Sequence, residues 1–298
     1  MTNEFKIIAL LGRSEDPHVS SLMVALNDYL KNKNIEVIVT SEISSQLKVR
    51  KVKEKNISVE ADLIIAIGGD GTMLYAAHLA QYNHTPLLGI NRGRLGFLAD
   101  ITPNDMLESL DKVLKGDYAS EKRLLLNAKI IKANDSSQNA LALNDVVIQR
   151  RDTGRMLDFK TYISGRYVNT HSGDGLIVTT PTGSTAYSLS CGGPIIDPMH
   201  DAIAIVPICP HTLNNRPIVI PADQKIEIKL LERADCNAEV IVDGHRITDL
   251  NMKDTLSIEK SKKTITLIHP PTYDFYEILH SKLHWGRDNR SQNKEGKQ

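Results

Sequence analysis

Gly68-Gly69-Asp70-Gly71-Thr72 closes the apolar run Leu63-Ile64-Ile65-Ala66-Ile67 and opens a helix-like stretch from Met73 to Ala80. An acid set among three glycines at a strand-to-helix junction suits phosphate chemistry. Paired glycines adopt positive φ at little cost and carry no side chain to block a pyrophosphate, while the first N–H groups of the following helix point toward an anion. Thr72 is positioned to cap that helix. In phosphoryl transfer a protein mainly positions donor and acceptor, and one carboxylate takes the proton of the acceptor hydroxyl. Asp70, the one titratable side chain of the turn, fits that role. Taken alone, the pentapeptide also reads as a plain tight turn with a capping acid.

Three further segments carry residue types suited to a nucleotide. Gly89-Ile90-Asn91-Arg92-Gly93-Arg94-Leu95-Gly96-Phe97-Leu98 follows another strand-like run. It belongs at the same carboxyl edge, where open α/β sheets bind ligands, and its arginines either meet phosphate or are solvated. Asn144-Asp145 interrupts the apolar run Leu141 to Ile148; ribose hydroxyls or an exocyclic amine would partner it, and a β-bulge or hairpin end would place it equally well. The block Asp174 to Pro194 is the most specific. There a strand ends in a proline-fixed, hydroxyl-rich turn, and Gly183-Ser184-Thr185 is expected to start a helix whose N–H and hydroxyl groups clasp a nucleotide, with Tyr187 offering a flat face to a base. Neither GxxxxGK[ST] nor GxGxxG occurs. The ten histidines show no ligand spacing; His171, His211 and His245 are candidates to line a site or are ordinary surface residues. Ser184 lacks the second glycine of a nucleophile elbow, which argues against a hydrolase triad.

Elements must position these groups. Phe5 to Leu11 is strand-like, Val19, Leu22, Met23, Leu26 and Leu30 recur at helical spacing, and Glu36–Thr40, Leu63–Ile67 and Pro86–Asn91 follow as strands with a further helix at Asn104–Leu114. Alternating helices and continuously apolar strands predict a parallel, doubly wound α/β domain over residues 1–118. From residue 119 to 271 the chain reads as short strands between turn residues, an all-β, sandwich-like domain, with a helical interruption only near Ser184–Cys191. Phe275, Ile278, Leu279 and Leu283 share one helical face within 272–290, which is expected to return to the first domain. Residues 291–298 read as a disordered tail.

The chain has 298 residues, enough for two domains, since single cores stop growing at roughly 250 to 300. Lys plus Arg and Asp plus Glu each number 36, so no net charge draws the protein to nucleic acid or to an anionic membrane. Cys191, Cys209 and Cys236 lack metal or redox spacing and read as buried thiols in a reducing compartment. Neither a signal peptide nor an apolar stretch of membrane-spanning length is found, which points to the cytoplasm.

Together, the glycine turn, Gly89 to Leu98, Asn144-Asp145, Asp174 to Pro194, Ile208-Cys209-Pro210-His211-Thr212-Leu213 with Arg216-Pro217, and Val242-Asp243-Gly244-His245 resemble the NAD kinase family in type and order. The Asp174 to Pro194 block discriminates, because lipid kinases of the diacylglycerol type and phosphofructokinases carry similar glycine turns. The resemblance implies an α/β domain joined to a β-sandwich. It also implies phosphoryl transfer from ATP to the 2′-hydroxyl of the adenosine ribose of NAD, with Mg²⁺ or a similar divalent ion carried on the ATP. By the same carry-over Asp70 is the general base and Gly68, Gly69, Gly71 and Thr72 surround it. Asn144 and Asp145 contact NAD. Arg155, Asp174, Thr185, Ala186, Tyr187, Ser188, Leu189 and Ser190 complete the dinucleotide site, with His171, Ser172 and His245 near it. No residue is assigned to a metal, and a homo-oligomer, dimer or tetramer, is implied. His245 departs from the Gln frequent at that position in bacterial relatives. Two other readings remain open: a lipid kinase, which would not need Asn144 or Tyr187, and a non-catalytic dinucleotide sensor, which would not need an anion at Asp70.

Overall fold

The structure is a computed structural model, described here for residues 5–13, 15–40, 47, 49–93, 95–151, 156–231 and 238–284. Arg155, Cys236 and the expected tail 291–298 lie outside the described residues. The chain divides into two compact units: Met1–Ala76, Leu87–Ser120 and Ile268–Gln298 form the first, and Ala77–Pro86 with Glu121–Leu267 the second.

The first unit is built on β1 (Ile7–Gly12), α1 (Pro17–Asn32), β2 (Glu36–Thr40), β3 (Arg50–Val52), α2 (Glu54–Glu60), β4 (Leu63–Ile67), α3 (Asp70–Ala80, whose last residues count with the second unit), β5 (Leu87–Ile90) and α4 (Met106–Leu114). All pairings are parallel, in the order β5-β4-β1-β2-β3. Every residue of β4 is buried, as a strand covered on both faces requires. α1 starts at Pro17 because the Asp16 carboxylate accepts the His18 N–H at 3.0 Å, and it buries Val19, Leu22, Met23, Leu26 and Leu30. Strand order reverses between β1 and β4, so their carboxyl ends form a topological switch point.

The second unit holds β6 (Ala119–Ile131, whose first two residues count with the first unit), β7 (Ser137–Ala142), β8 (Asp145–Arg150), β9 (Leu157–Ile163), β10 (Arg166–Gly173), β11 (Gly175–Thr179), α5 (Tyr187–Ser190), β12 (Ala202–Ile208), β13 (Ile218–Pro221), β14 (Ile226–Leu230), β15 (Ala238–Val242), β16 (His245–Leu250) and β17 (Thr255–His269, whose last two residues count with the first unit). One sheet has the order β13-β12-β11-β8-β15-β16; a second contains β10-β9-β14-β17, with β6 pairing β17 and β7. Val146, Ile148, Leu176, Val178 and Val240 of the first meet Leu126, Phe159, Ile228, Leu256 and Ile258 of the second in one core. The opposite face of the six-stranded sheet packs Val147, Ile177, Ala204, Val206 and Ile208 with Ile196. Covered on both sides, β11 is buried throughout. The apolar run Leu141 to Ile148 spans the end of one strand and the start of the next, broken at Leu143-Asn144.

The last helix, α6 (Phe275–Leu283), is capped by Asp274, which accepts the Tyr276 N–H at 2.7 Å, and belongs to the first unit. It buries Ile278 and Leu279. No helix among the described residues is long and apolar enough to cross a membrane.

Candidate active site

In the first unit, β4 ends directly in the glycine turn. The Gly68 N–H donates to Ile90 O (2.9 Å), and a Cβ at Gly68 would strike the Thr72 side chain, with Thr72 Cβ only 2.9 Å away. No atom lies within 4 Å of a Cβ built at Gly69 or Gly71, so space is open above both. The helix starts at Asp70, two residues before the capping position expected of Thr72; Thr72 is inside the first turn, its N–H donating to Gly69 O at 2.9 Å. Asp70 is therefore an acid in the first turn of an eleven-residue helix, where the helix dipole favours negative charge. Its two carboxylate oxygens accept consecutive backbone N–H groups, Leu98 on Oδ1 at 3.0 Å and Phe97 on Oδ2 at 3.1 Å. A Cβ at Gly96 would run into Asp70 Oδ1, which explains the glycine there.

A cleft of about 180 Å³ opens at the switch point, lined by Arg13 and Asp16 after β1, Gly68, Gly69, Gly71 and Thr72 after β4, and Arg92 after β5. Arg92 pairs with Asp16 at 3.0 Å and holds that carboxyl below the usual range. Arg13 and Asp16 were not singled out by motif, although their position after the first strand of a doubly wound sheet marks them.

In the second unit, Asn144 and Asp145 sit at the break between β7 and β8. Asp243 causes the break. In the two-residue hairpin turn between β15 and β16, Asp243 and Gly244 both have positive φ (47° and 80°), the type I′ signature. From there the Asp243 carboxylate accepts the N–H groups of Leu143 (2.8 Å), Asn144 (2.8 Å) and Asp145 (3.1 Å). Asn144 Oδ1 is buried with no hydrogen-bond partner, and Asp145 is 5 % exposed. Burial first, and the neighbouring Asp243 second, push the Asp145 carboxyl up to about 7. Burial raises Asp243 too, but its three N–H donors oppose the shift, so Asp243 is built to carry the charge and Asp145 the proton.

The raised value of Asp145 has a thermodynamic consequence. The folded carboxyl keeps its proton to higher pH than an unfolded one, so the native state binds more protons between about pH 4 and 7 and stability falls as pH rises through that window. Asp145→Asn removes the burden. Its melting temperature is expected to exceed that of the wild type by roughly 3 to 8 °C at pH 8 and to match it at pH 4. An equal offset at both pH values in calorimetry would refute the assignment.

The Asp174–Pro194 block departs from the expected helix. Thr182–Thr185 is a 3₁₀ turn and α5 a single turn. Ser184 Oγ is fully buried and spent on structure, donating to Pro181 O at 2.6 Å and accepting the Ile196 N–H at 3.0 Å; Thr185 Oγ1 donates to Thr182 O at 3.3 Å. Instead of a helix end, the turn is laced to Asn144. Thr180 N–H and Thr179 Oγ1 both donate to Asn144 O, at 2.9 and 3.0 Å, and Thr180 Oγ1 donates to Leu143 O at 2.5 Å. Tyr187 is 42 % exposed, Ala186 and Leu189 are half-buried, Ser190 is exposed, and Ser188 Oγ is buried without a partner.

Other candidates are placed as follows. Asp174 is engaged by Arg150 through Nε at 3.0 Å and Nη2 at 3.4 Å. His171 is buried, its ring stacked on Phe159 at 5.1 Å, and burial lowers its pKa. Ser172 O accepts the N–H of exposed His211. His245 is exposed beside the Asp243 turn. Two of the three expected buried thiols are not buried: Cys209 is exposed and Cys191 half-buried, both free.

Comparison with known proteins supplies the family. Models of the ATP-NAD kinase N-terminal and C-terminal domains match residues 8–118 and 143–270. An NAD kinase of Nitrosococcus oceani is 41% identical over 290 residues, covering 96% of this chain and 99% of that protein. One of Acinetobacter baylyi is 42% identical over 287 residues, covering 95% and 93%. Among solved structures, yeast NADH kinase complexed with NADH is similar with a TM-score of 0.87 at 24% identity, covering 96% of this chain and 89% of that one. An NAD kinase from Archaeoglobus fulgidus in complex with ATP gives 0.70 at 25% identity, covering 93% and 97%. With both domain models matched and relatives alike over almost their whole length, this chain belongs to the NAD kinase family.

Proposed function

We propose that the protein transfers the γ-phosphoryl group of ATP to the 2′-hydroxyl of the adenosine ribose of NAD, giving NADP and ADP, with Asp70 as general base. The observation that carries this reading is the Asp70 carboxylate, fixed by the Phe97 and Leu98 N–H groups beside the open space over Gly69 and Gly71. As the bond from the ribose 2′-oxygen to the γ-phosphorus forms, the bridging P–O bond breaks, ADP leaves with its electron pair, and the hydroxyl proton passes to an Asp70 oxygen.

The switch-point cleft, with Gly68, Gly69, Gly71, Thr72, Arg13 and Arg92, takes the triphosphate. NAD is held by Asn144, Asp145, Arg155, His171, Ser172, Asp174, the run Thr185 to Ser190 and His245. The unpartnered Asn144 Oδ1 supports this, because it is a buried acceptor in want of a donor such as a ribose hydroxyl. Among the described residues no three His, Cys, Asp or Glu converge on a metal position. A divalent ion carried on ATP would neutralise phosphate charge there and enter with the nucleotide. A cytoplasmic homo-oligomer, dimer or tetramer, completes the reading; light scattering coupled to size exclusion tests the assembly.

The enzymatic test is incubation of the purified chain with NAD, ATP and Mg²⁺, with NADP read by an NADP-specific dehydrogenase. NADP formation is expected; a protein that binds NAD and forms none would be a sensor instead. Arg92→Ala removes one charged donor from the cleft and is expected to raise KM for ATP about 10-fold while leaving KM for NAD within about twofold. An unchanged KM for ATP would take Arg92 out of the donor site.

A further inference from the structure

The segment Gly96–Asp100 fixes Asp70, and it is itself held from outside. Its own hydrogen bonds are few: the Gly96 N–H donates to Ala99 O at 2.9 Å, and the flanking Asn91 N–H to Ile101 O at 2.8 Å. Further anchors come from β5, where the Ile101 N–H donates to Gly89 O at 3.3 Å, and from the last part of the chain, within the same unit. His269, 1 % exposed, donates from Nδ1 to Asp100 Oδ2 at 2.9 Å, and the Asp100 side chain is 7 % exposed. The His269 ring is stacked on Tyr273 with centroids 3.8 Å apart and planes 17° from parallel. At the other end of the segment, Lys282 Nζ of α6 lies 5.1 Å from the Phe97 ring centroid.

We propose that His269 is a positioning residue for phosphoryl transfer: by fixing Asp100 it sets the two backbone N–H groups that aim the Asp70 carboxylate. The inference rests on Asp70 being the base. A buried pair of this kind in an ordinary core would serve stability alone. Here Asp100 lies two residues from Leu98, whose N–H holds Asp70 Oδ1, and a Cβ at Gly96 would already overlap that oxygen. Packing so close transmits a shift at Asp100 to the carboxylate rather than absorbing it.

Steady-state kinetics test this with His269→Ala, His269→Asn and Asp100→Ala, each alone and in an Asp70→Asn background, at a temperature well below melting. His269→Asn retains an N–H donor near the place of Nδ1. His269→Ala is expected to lower kcat roughly 10- to 100-fold with KM for NAD and ATP within about twofold, the cost of misplacing a reacting group by about 1 Å. His269→Asn is expected to recover most of that loss. In the Asp70→Asn background, His269→Ala should change the residual kcat by less than about twofold, since there is no base left to aim. A lowered melting temperature with wild-type kcat would make the pair structural only. An equal loss in both backgrounds would show that His269 does not act through Asp70. Should His269→Ala fail to fold, Asp100→Ala, which removes the acceptor of the same hydrogen bond, carries the same comparison with the same expected loss. Full activity of Asp70→Asn by itself would instead remove the base that the inference requires, an outcome distinct from wild-type kcat in the His269 variants.

Discussion

Asp70→Asn is expected to slow NADP formation by roughly 10²- to 10⁴-fold while NAD and ATP still bind. In the proposed mechanism the carboxylate takes the hydroxyl proton, and an amide of the same size cannot. The substitution has a second effect that the geometry makes explicit. Both Asp70 oxygens accept backbone N–H groups, so an amide must turn its NH₂ toward either Phe97 N or Leu98 N and set donor against donor. One hydrogen bond is lost and the segment after β5 is disturbed. Asp70→Ser leaves a smaller side chain that reaches neither N–H in the same way, and comparing the two separates loss of the base from disturbance of the segment. If proton transfer dominates, both variants lose a similar factor in kcat, and calorimetric NAD affinity stays within about threefold of wild type. Wild-type turnover in either variant would remove Asp70 from the mechanism.

Legibility in the sequence followed the reach of each interaction. β1 and β4 are apolar throughout, so local composition reveals them, and β11 reads the same way because cores lie on both of its faces. β3 and α2 escape notice: Arg50-Lys51-Val52 buries one residue, and α2 buries only Ile57 and Ser58, too few to make a stripe. β10 is likewise faint in the sequence, its residues 166–170 all polar, aromatic or exposed. Asp70 stands out because three glycines surround an acid, whereas the groups that hold it are backbone N–H groups, identical in every residue. The break at Leu143-Asn144 comes from Asp243, 98 to 100 residues further along, and no local pattern encodes it. The helix expected from Gly183-Ser184-Thr185 fails for a related reason. Thr179 and Thr180 fasten the turn to Asn144, and Ile196 claims the Ser184 hydroxyl, so the local capping signal yields to distant partners.

That fastening leads to the second large effect. A Cβ added at Gly183 would lie 2.5 Å from Asn144 C and closer still to Asn144 O and Thr179 Oγ1. Main-chain atoms of Asn144 cannot step aside as the end of a flexible side chain would. Asn144 O already accepts from Thr179 and Thr180, and the Asn144 N–H is committed to Asp243. Gly183→Ala must therefore either open the turn or displace Asn144, and both routes are costly. The expected destabilisation is about 3 kcal/mol, a drop in melting temperature on the order of 6 to 12 °C. KM for NAD is expected to rise at least about 10-fold, because the shift moves Asn144 Oδ1 and Asp145 together. Gly69→Ala is the control: it has open space and no strained φ, so its melting temperature should stay within about 2 °C of wild type, whatever it does to ATP. The two glycines thus separate close packing of the protein on itself from room kept for a substrate. A Gly183→Ala protein with wild-type melting temperature and KM would mean that the turn does not lie against Asn144.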